Sequence, residues 1–127
     1  MRRKFLTAMA NTYIGLLGLS NSNKTVLIVV ESLDYEFEGT TVNVDPLHAY
    51  IVALKPGSLR TLASALAHEM IHVRQMARGY LQPLSGGRNK WMGKVYRAKM
   101  PYLDRPWEIA AFSGQELLMR RAFETAE

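Results

Sequence analysis

Residues 58–79 read SLRTLASALAHEMIHVRQMARG, and the spacing of their apolar side chains decides how the rest of the chain is arranged. Leu59, Leu62, Leu66, Met70, Val73 and Ala77 recur at helical spacing on one face, with Arg60, Arg74 and Arg78 along a polar edge. Ser58 is a suitable cap, and Gly79 stands where a left-handed C-terminal residue is wanted. The stretch therefore predicts a long helix from about residue 58 to about residue 78, with one face against a core.

Upstream of this helix the pattern belongs to strands. Residues 24–31, KTVLIVVE, form a β-branched run of the kind found in buried strands. Around Gly39, Tyr35-Glu36-Phe37 on one side and Thr41-Val42-Asn43-Val44 on the other predict a hairpin. Ala49 to Leu54 is a further strand, closed by Pro56-Gly57. Strands adjacent in sequence predict a mostly antiparallel, or mixed, sheet, and with the helices around it an α+β fold.

The chain opens with Met1-Arg2-Arg3-Lys4 and an apolar run from Phe5 to Leu19, which superficially resembles a secretory signal. Asn11 and Thr12 interrupt the run, and no small-x-small cleavage site follows. Leu6, Ala10, Tyr13 or Ile14, and Leu17 recur at helical spacing, so an amphipathic first helix ending near Gly18 is expected. Residues 81–101 are rich in Gly, Pro and basic residues and read as a long loop carrying at most a short hairpin. Asp104-Arg105-Pro106 then marks the start of a last helix running to about Phe123.

At 127 residues the sequence is expected to form a single domain with one hydrophobic core. No stretch reaches the roughly 20 apolar residues needed to span a bilayer, so no membrane partner is expected. The absence of Cys excludes disulfides, thiol nucleophiles and thiolate zinc ligands. It fits a reducing compartment; the expected location is the cytoplasm, with secretion the alternative raised by the basic and apolar N-terminus. The chain carries a net charge of +5, much of the excess lying between Arg88 and Lys99, without any signature of nucleic-acid binding.

The chemistry lies in the long helix, where His68-Glu69-Met70-Ile71-His72 forms the H-E-x-x-H pattern. Residues four apart sit one turn above each other, so both imidazoles can reach one ion from the same side. Glu69 lies about 100° round the helix, beside the metal, where a base can take a proton from water. Catalytic zinc usually takes three protein ligands. No third histidine follows at the spacing H-E-x-x-H-x-x-G-x-x-H, because Gln75 and Arg78 occupy those places. The third ligand is then a carboxylate or His48. Glu108, opening the last helix in Pro106-Trp107-Glu108-Ile109-Ala110-Ala111, is preferred to Asp104, Glu116 and Glu124. Asp104 is suited to capping, Glu124 lies near the chain end, and Glu116 stands two turns farther along the helix.

With these residues the sequence resembles the gluzincins, which carry H-E-x-x-H and a later glutamate in an E-x-x-A or E-x-x-D setting. It is most similar to very small members and to small phage-encoded metallopeptidases. The resemblance covers about the last 70 residues and implies a minimal zincin-like domain: a sheet whose edge strand holds extended peptide, an active-site helix and a glutamate helix. By that analogy Ala49 to Leu54 is the substrate edge, Glu108 the third ligand, zinc the cofactor, Glu69 the base and a peptide or protein the substrate. No residue matches the family's further Tyr or His by motif, and His48, Tyr50, Tyr96 and Tyr102 are the candidates for stabilising the transition state. The rival expectations are a binding protein that keeps the scaffold without catalysis, and an amidase acting on a cell-wall substrate.

Overall fold

The computed structural model of the chain describes residues 2–20, 25–31, 39–45 and 49–126. The H-E-x-x-H segment forms helix α2, Leu59–Ala77, with the Ser58 hydroxyl accepting from the Thr61 N–H at its start. Gly79, at φ +75°, takes the left-handed conformation that ends it, a position where any Cβ would be strained. Helix α1, Arg2–Leu16, and helix α3, Pro106–Ala126, pack beside α2. Leu62, Leu66, Met70 and Val73 of α2 are fully buried in a core that also takes Leu6, Met9 and Tyr13 from α1, and Leu118, Met119 and Ala122 from α3. Each large apolar side chain of this kind contributes about 1.5–3 kcal/mol by leaving water.

A sheet of β1, Thr25–Val30, β2, Gly39–Asp45, and β3, Ala49–Leu54, completes the core. Its strand order is β1-β3-β2, with β1 parallel and β2 antiparallel to β3, so the arrangement is α+β with a mixed sheet. Of the expected antiparallel or mixed arrangements the mixed one is found, because adjacency in sequence does not fix pairing. Composition does better: β3, Ala-Tyr-Ile-Val-Ala-Leu, has no charged residue and buries Tyr50, Val52, Ala53 and Leu54, as a strand paired on both edges does. The expected substrate edge, Ala49 to Leu54, is accordingly corrected: it is the central strand. The edge beside α2 is β2, whose Thr40, Thr41 and Asn43 suit a more exposed strand. Gly39 begins β2, while its expected hairpin partners Tyr35 to Phe37 lie outside the described residues.

The expected loop at 81–101 holds more structure than a hairpin. Strands β4, Leu81–Pro83, β5, Asn89–Trp91, and β6, Lys94–Tyr96, form a small antiparallel sheet. The β5–β6 turn uses Met92 and Gly93 at φ +49° and +86°, and a methionine there gives no turn signal in sequence. This sheet rests on Trp107 at the start of α3, with ring centroids 6.5 Å from Trp91 and 5.8 Å from Tyr96. Among the described residues no helix is long and apolar enough to cross a membrane.

Candidate metal centre

Helical spacing places His68 and His72 one turn apart on α2, with their rings edge to face at a centroid distance of 4.8 Å. Their Nε2 atoms lie 3.2 Å apart. Glu108, in the first turn of α3, brings Oε1 to 2.8 Å from His68 Nε2 and 2.9 Å from His72 Nε2. Its placement follows from the helix opening, where the Glu108 and Ile109 N–H groups both donate to the Arg105 carbonyl at 3.0 Å. Ala111, fully buried, adds little bulk between the two helices. All three donor residues are buried.

Two glutamines decide what the imidazoles can do. Gln115 on α3 uses its amide nitrogen to donate to Ser64 Oγ at 3.2 Å, so its amide oxygen, 2.7 Å from His68 Nδ1, accepts from that ring. Gln75 donates likewise to the Trp107 carbonyl at 3.0 Å and accepts from His72 Nδ1 at 2.8 Å. Both rings therefore carry a proton on Nδ1 and turn Nε2 inward. Two inward lone pairs and a carboxylate oxygen at these separations need positive charge among them, supplied by protons or by a metal ion. At about 2.0–2.1 Å from a zinc ion, tetrahedral neighbours stand about 3.3 Å apart. The 3.2 Å between the imidazole nitrogens matches that spacing, and Glu108 needs only a few tenths of an ångström of adjustment. The donor set, two neutral nitrogens and one carboxylate, fits zinc.

The electrostatics agree with a site built for positive charge. Burial would raise the Glu108 carboxyl, but hydrogen bonds from His68 and His72, the charge of His72 and a hydrogen bond with Tyr102 hold it near 2. For His72, burial disfavours the cation, yet the hydrogen bond and charge of Glu108 prevail and its pKa is raised. Glu69 is buried beside this group, and burial, opposed by His72, Thr41 and His68, raises its pKa. The Thr41 hydroxyl on β2 donates to Glu69 Oε1 at 2.6 Å. The other carboxylate oxygen has no hydrogen-bond partner among the described residues. Gly39 allows this approach of strand to helix: a Cβ there would come within 2.9 Å of the Ala53 carbonyl and 3.3 Å of Glu69 Cγ.

Cavities of about 430 and 220 Å³ open on either side, and Gly39, Glu69 and Tyr102 line both. The larger is walled by Ala65, Phe112 and Met119, with the exposed pair Arg60 and Glu116, 3.6 Å apart, at its lining. Tyr102 stands in a 3-10 turn before α3; burial first, then Glu108, raises its pKa, so its hydroxyl stays protonated. Of the other candidates for a stabilising role, Tyr50 is fully buried, Tyr96 packs on Trp107 and His48 lies outside the described residues. Sequence reasoning missed Thr41, Gln75 and Gln115 as supports of the site. Only Gln115 carried a signal, sharing the Glu108 helix face at spacing i+7.

Neither family models, curated proteins nor solved structures give a match to the chain. The case for function therefore rests on the residues of this site.

Proposed function

We propose that the chain is a zinc-dependent hydrolase of peptide bonds, of the gluzincin kind, in which His68, His72 and Glu108 hold the metal and Glu69 is the general base. The observation that carries this reading is the meeting of two Nε2 atoms and one carboxylate oxygen within hydrogen-bond distance of each other, with a second buried carboxylate alongside. Bound zinc supplies a Lewis acid for a carbonyl and brings the pKa of water down toward about 7.

The protein's own groups do the rest. Thr41 fixes one oxygen of Glu69 by donating to it, which leaves the other to take a proton from water and return it to the departing amine. Gln75 and Gln115 hold the imidazoles in the tautomer that offers Nε2. Tyr102, protonated and lining both cavities, hydrogen-bonds Glu108 and would meet negative charge developing on a substrate oxygen once a bound metal occupies that carboxylate. Strand β2 supplies the sheet edge beside the site, with Gly39, Thr40 and Thr41 lining the smaller cavity.

Metal analysis of purified protein and assay of Glu69→Gln test this together. About one zinc per chain is expected, retained in the variant, with peptide hydrolysis lowered at least about 10²-fold. A protein that neither carries nor can be loaded with zinc, or a variant that turns over like wild type, refutes the reading.

A further inference from the structure

The two cavities differ in chemistry, and the smaller one is lined by a cation, Arg105, that no carboxylate pairs with among the described residues. Arg105 lines it together with His72, Glu108 and the β2 residues Thr40 and Thr41. Its side chain is fixed at one end: Nε donates to the Met100 carbonyl at 3.0 Å, and the guanidinium carbon lies 5.6 Å from the centroid of the Tyr102 ring. Its carbonyl receives the first N–H groups of α3, which ties it to the helix that presents Glu108. Among the described residues no carboxylate pairs with it, and the terminal guanidinium nitrogens have no hydrogen-bond acceptor. A half-buried arginine held this way is a preformed fork for a carboxylate.

The neighbouring stretch of chain is basic in sequence. From residue 70 to residue 103 the chain contains Arg74, Arg78, Arg88, Lys90, Lys94, Arg97 and Lys99 and neither Asp nor Glu. This stretch includes β4 and β5, whose Leu81, Pro83 and Asn89 border the same cavity. None of these basic side chains lines the cavity, whose other charged residues are Glu69 and Glu108, so Arg105 is the cation that an anion entering it would meet. At about 220 Å³ the cavity is smaller than the roughly 300–1,000 Å³ of a site that holds a whole ligand, so it suits one part of an extended chain.

We infer that this cavity is a carboxylate subsite in which Arg105 determines specificity, so that the preferred substrate is a peptide carrying a carboxylate on that side of the scissile bond. The inference deepens the proposed hydrolase and rests on that reading for the word substrate; the binding it describes does not require catalysis. The carboxylate comes from an acidic side chain or from a free C-terminus.

The experiment measures equilibrium binding of fluorescent hexapeptides to the zinc-loaded chain carrying Glu69→Gln, which prevents turnover. One pair of C-terminally amidated peptides differs as Glu against Gln at each position in turn; a second pair differs as free acid against amide at the C-terminus. The inference expects at least one acid form to bind about tenfold tighter or more, with the preference shrinking at high salt. Adding Arg105→Gln removes the preference, whereas adding Lys90→Gln with Lys94→Gln leaves it. The first pair reporting the effect assigns the side chain, the second the C-terminus. Equal binding of acid and amide forms in both pairs, or no measurable binding of any acid form, overturns the inference. So does a preference that survives Arg105→Gln, since the metal would then be the anion's partner, or one lost in the lysine double variant. If Arg105→Gln does not fold, Arg105→Lys takes its place and must weaken the preference at least threefold, because an ammonium lacks the guanidinium fork. Catalysis is read separately on the wild-type chain: failure to cleave any peptide, with the binding preference intact, sinks the hydrolase alone. Cleavage of acid and amide peptides at equal kcat/KM sinks the subsite alone.

Discussion

Replacing Glu108 with Gln in chelator-stripped protein should destabilise the chain near pH 5.5 and hardly at all near pH 2. Without metal, the Glu108 carboxylate is held by the two imidazoles at 2.8 and 2.9 Å, and its pKa falls from the ordinary 4.5 to about 2. At about 1.36 kcal/mol per pH unit, that displacement is worth about 3 kcal/mol, or about 10 °C in Tm for a chain of this length. Because the pKa is depressed, this stability is present above pH 4.5 and is lost as pH falls toward 2. The partner His72 moves the other way. Its raised pKa gives stability that is complete below its ordinary 6.5 and lost as pH rises through the folded value. The difference between wild type and variant is thus greatest between about pH 4.5 and 6.5. Zinc reverses the alkaline side, since metal and protons compete for the same nitrogens and the loaded protein gains stability as the imidazoles deprotonate. Urea unfolding of both proteins from pH 2.5 to 8.5, with and without zinc, measures each part. A wild-type advantage as large at pH 2.5 as at pH 5.5 would refute the idea that Glu108 is held as an anion by the histidines.

Other changes isolate other parts of the site. Glu108→Gln should lower zinc affinity, measured by chelator competition, more than about 100-fold, beyond what loss of an outer hydrogen-bond partner costs. Glu116→Gln, which removes only an exposed partner of Arg60, should bind zinc like wild type; the reverse order would move the third ligand to Glu116. Gln115→Leu removes the acceptor at His68 Nδ1 and should weaken zinc about 10–100-fold by the same competition assay, with unchanged affinity showing that the tautomer needs no support. Gly39→Ala should lower stability by about 1–3 kcal/mol in urea melts, because its Cβ meets the Ala53 carbonyl and Leu54 at 2.9 Å and pushes β2 away from Glu69.

Much of this molecule is legible in short stretches of sequence because helix signals are local. The period of 59–77, the Ser58 cap and Gly79 locate α2 to within a residue. His68, Glu69 and His72 need only helical spacing to share one side of it. Pro106 and the apolar strip around Glu108 likewise mark the last helix. The sheet was less legible. Strand residues appear in the sequence as alternation, but pairing is set by which edges are buried, and that depends on distant parts of the chain. The central place of β3, and hence the role of β2 as the edge beside the site, follows from packing against α2 rather than from order along the chain. The small sheet at 81–96 was hidden by a left-handed Met92, a conformation its side chain does not announce.

By itself the sequence determined the α+β composition, the long helix and the identity of two nitrogen donors and a neighbouring carboxylate, since these depend on contacts within a turn or two. Only tertiary structure decided which of several acidic residues meets the histidines, that Gln75 and Gln115 set their tautomers, that Thr41 restrains Glu69 and that Arg105 faces the same cavity as His72 and Glu108. Each of these except the Gln75 contact joins residues tens of positions apart or on different elements. The physical reason is that hydrogen-bond partners and electrostatic fields act through space over a few ångströms, and the sequence records neighbours only along the chain.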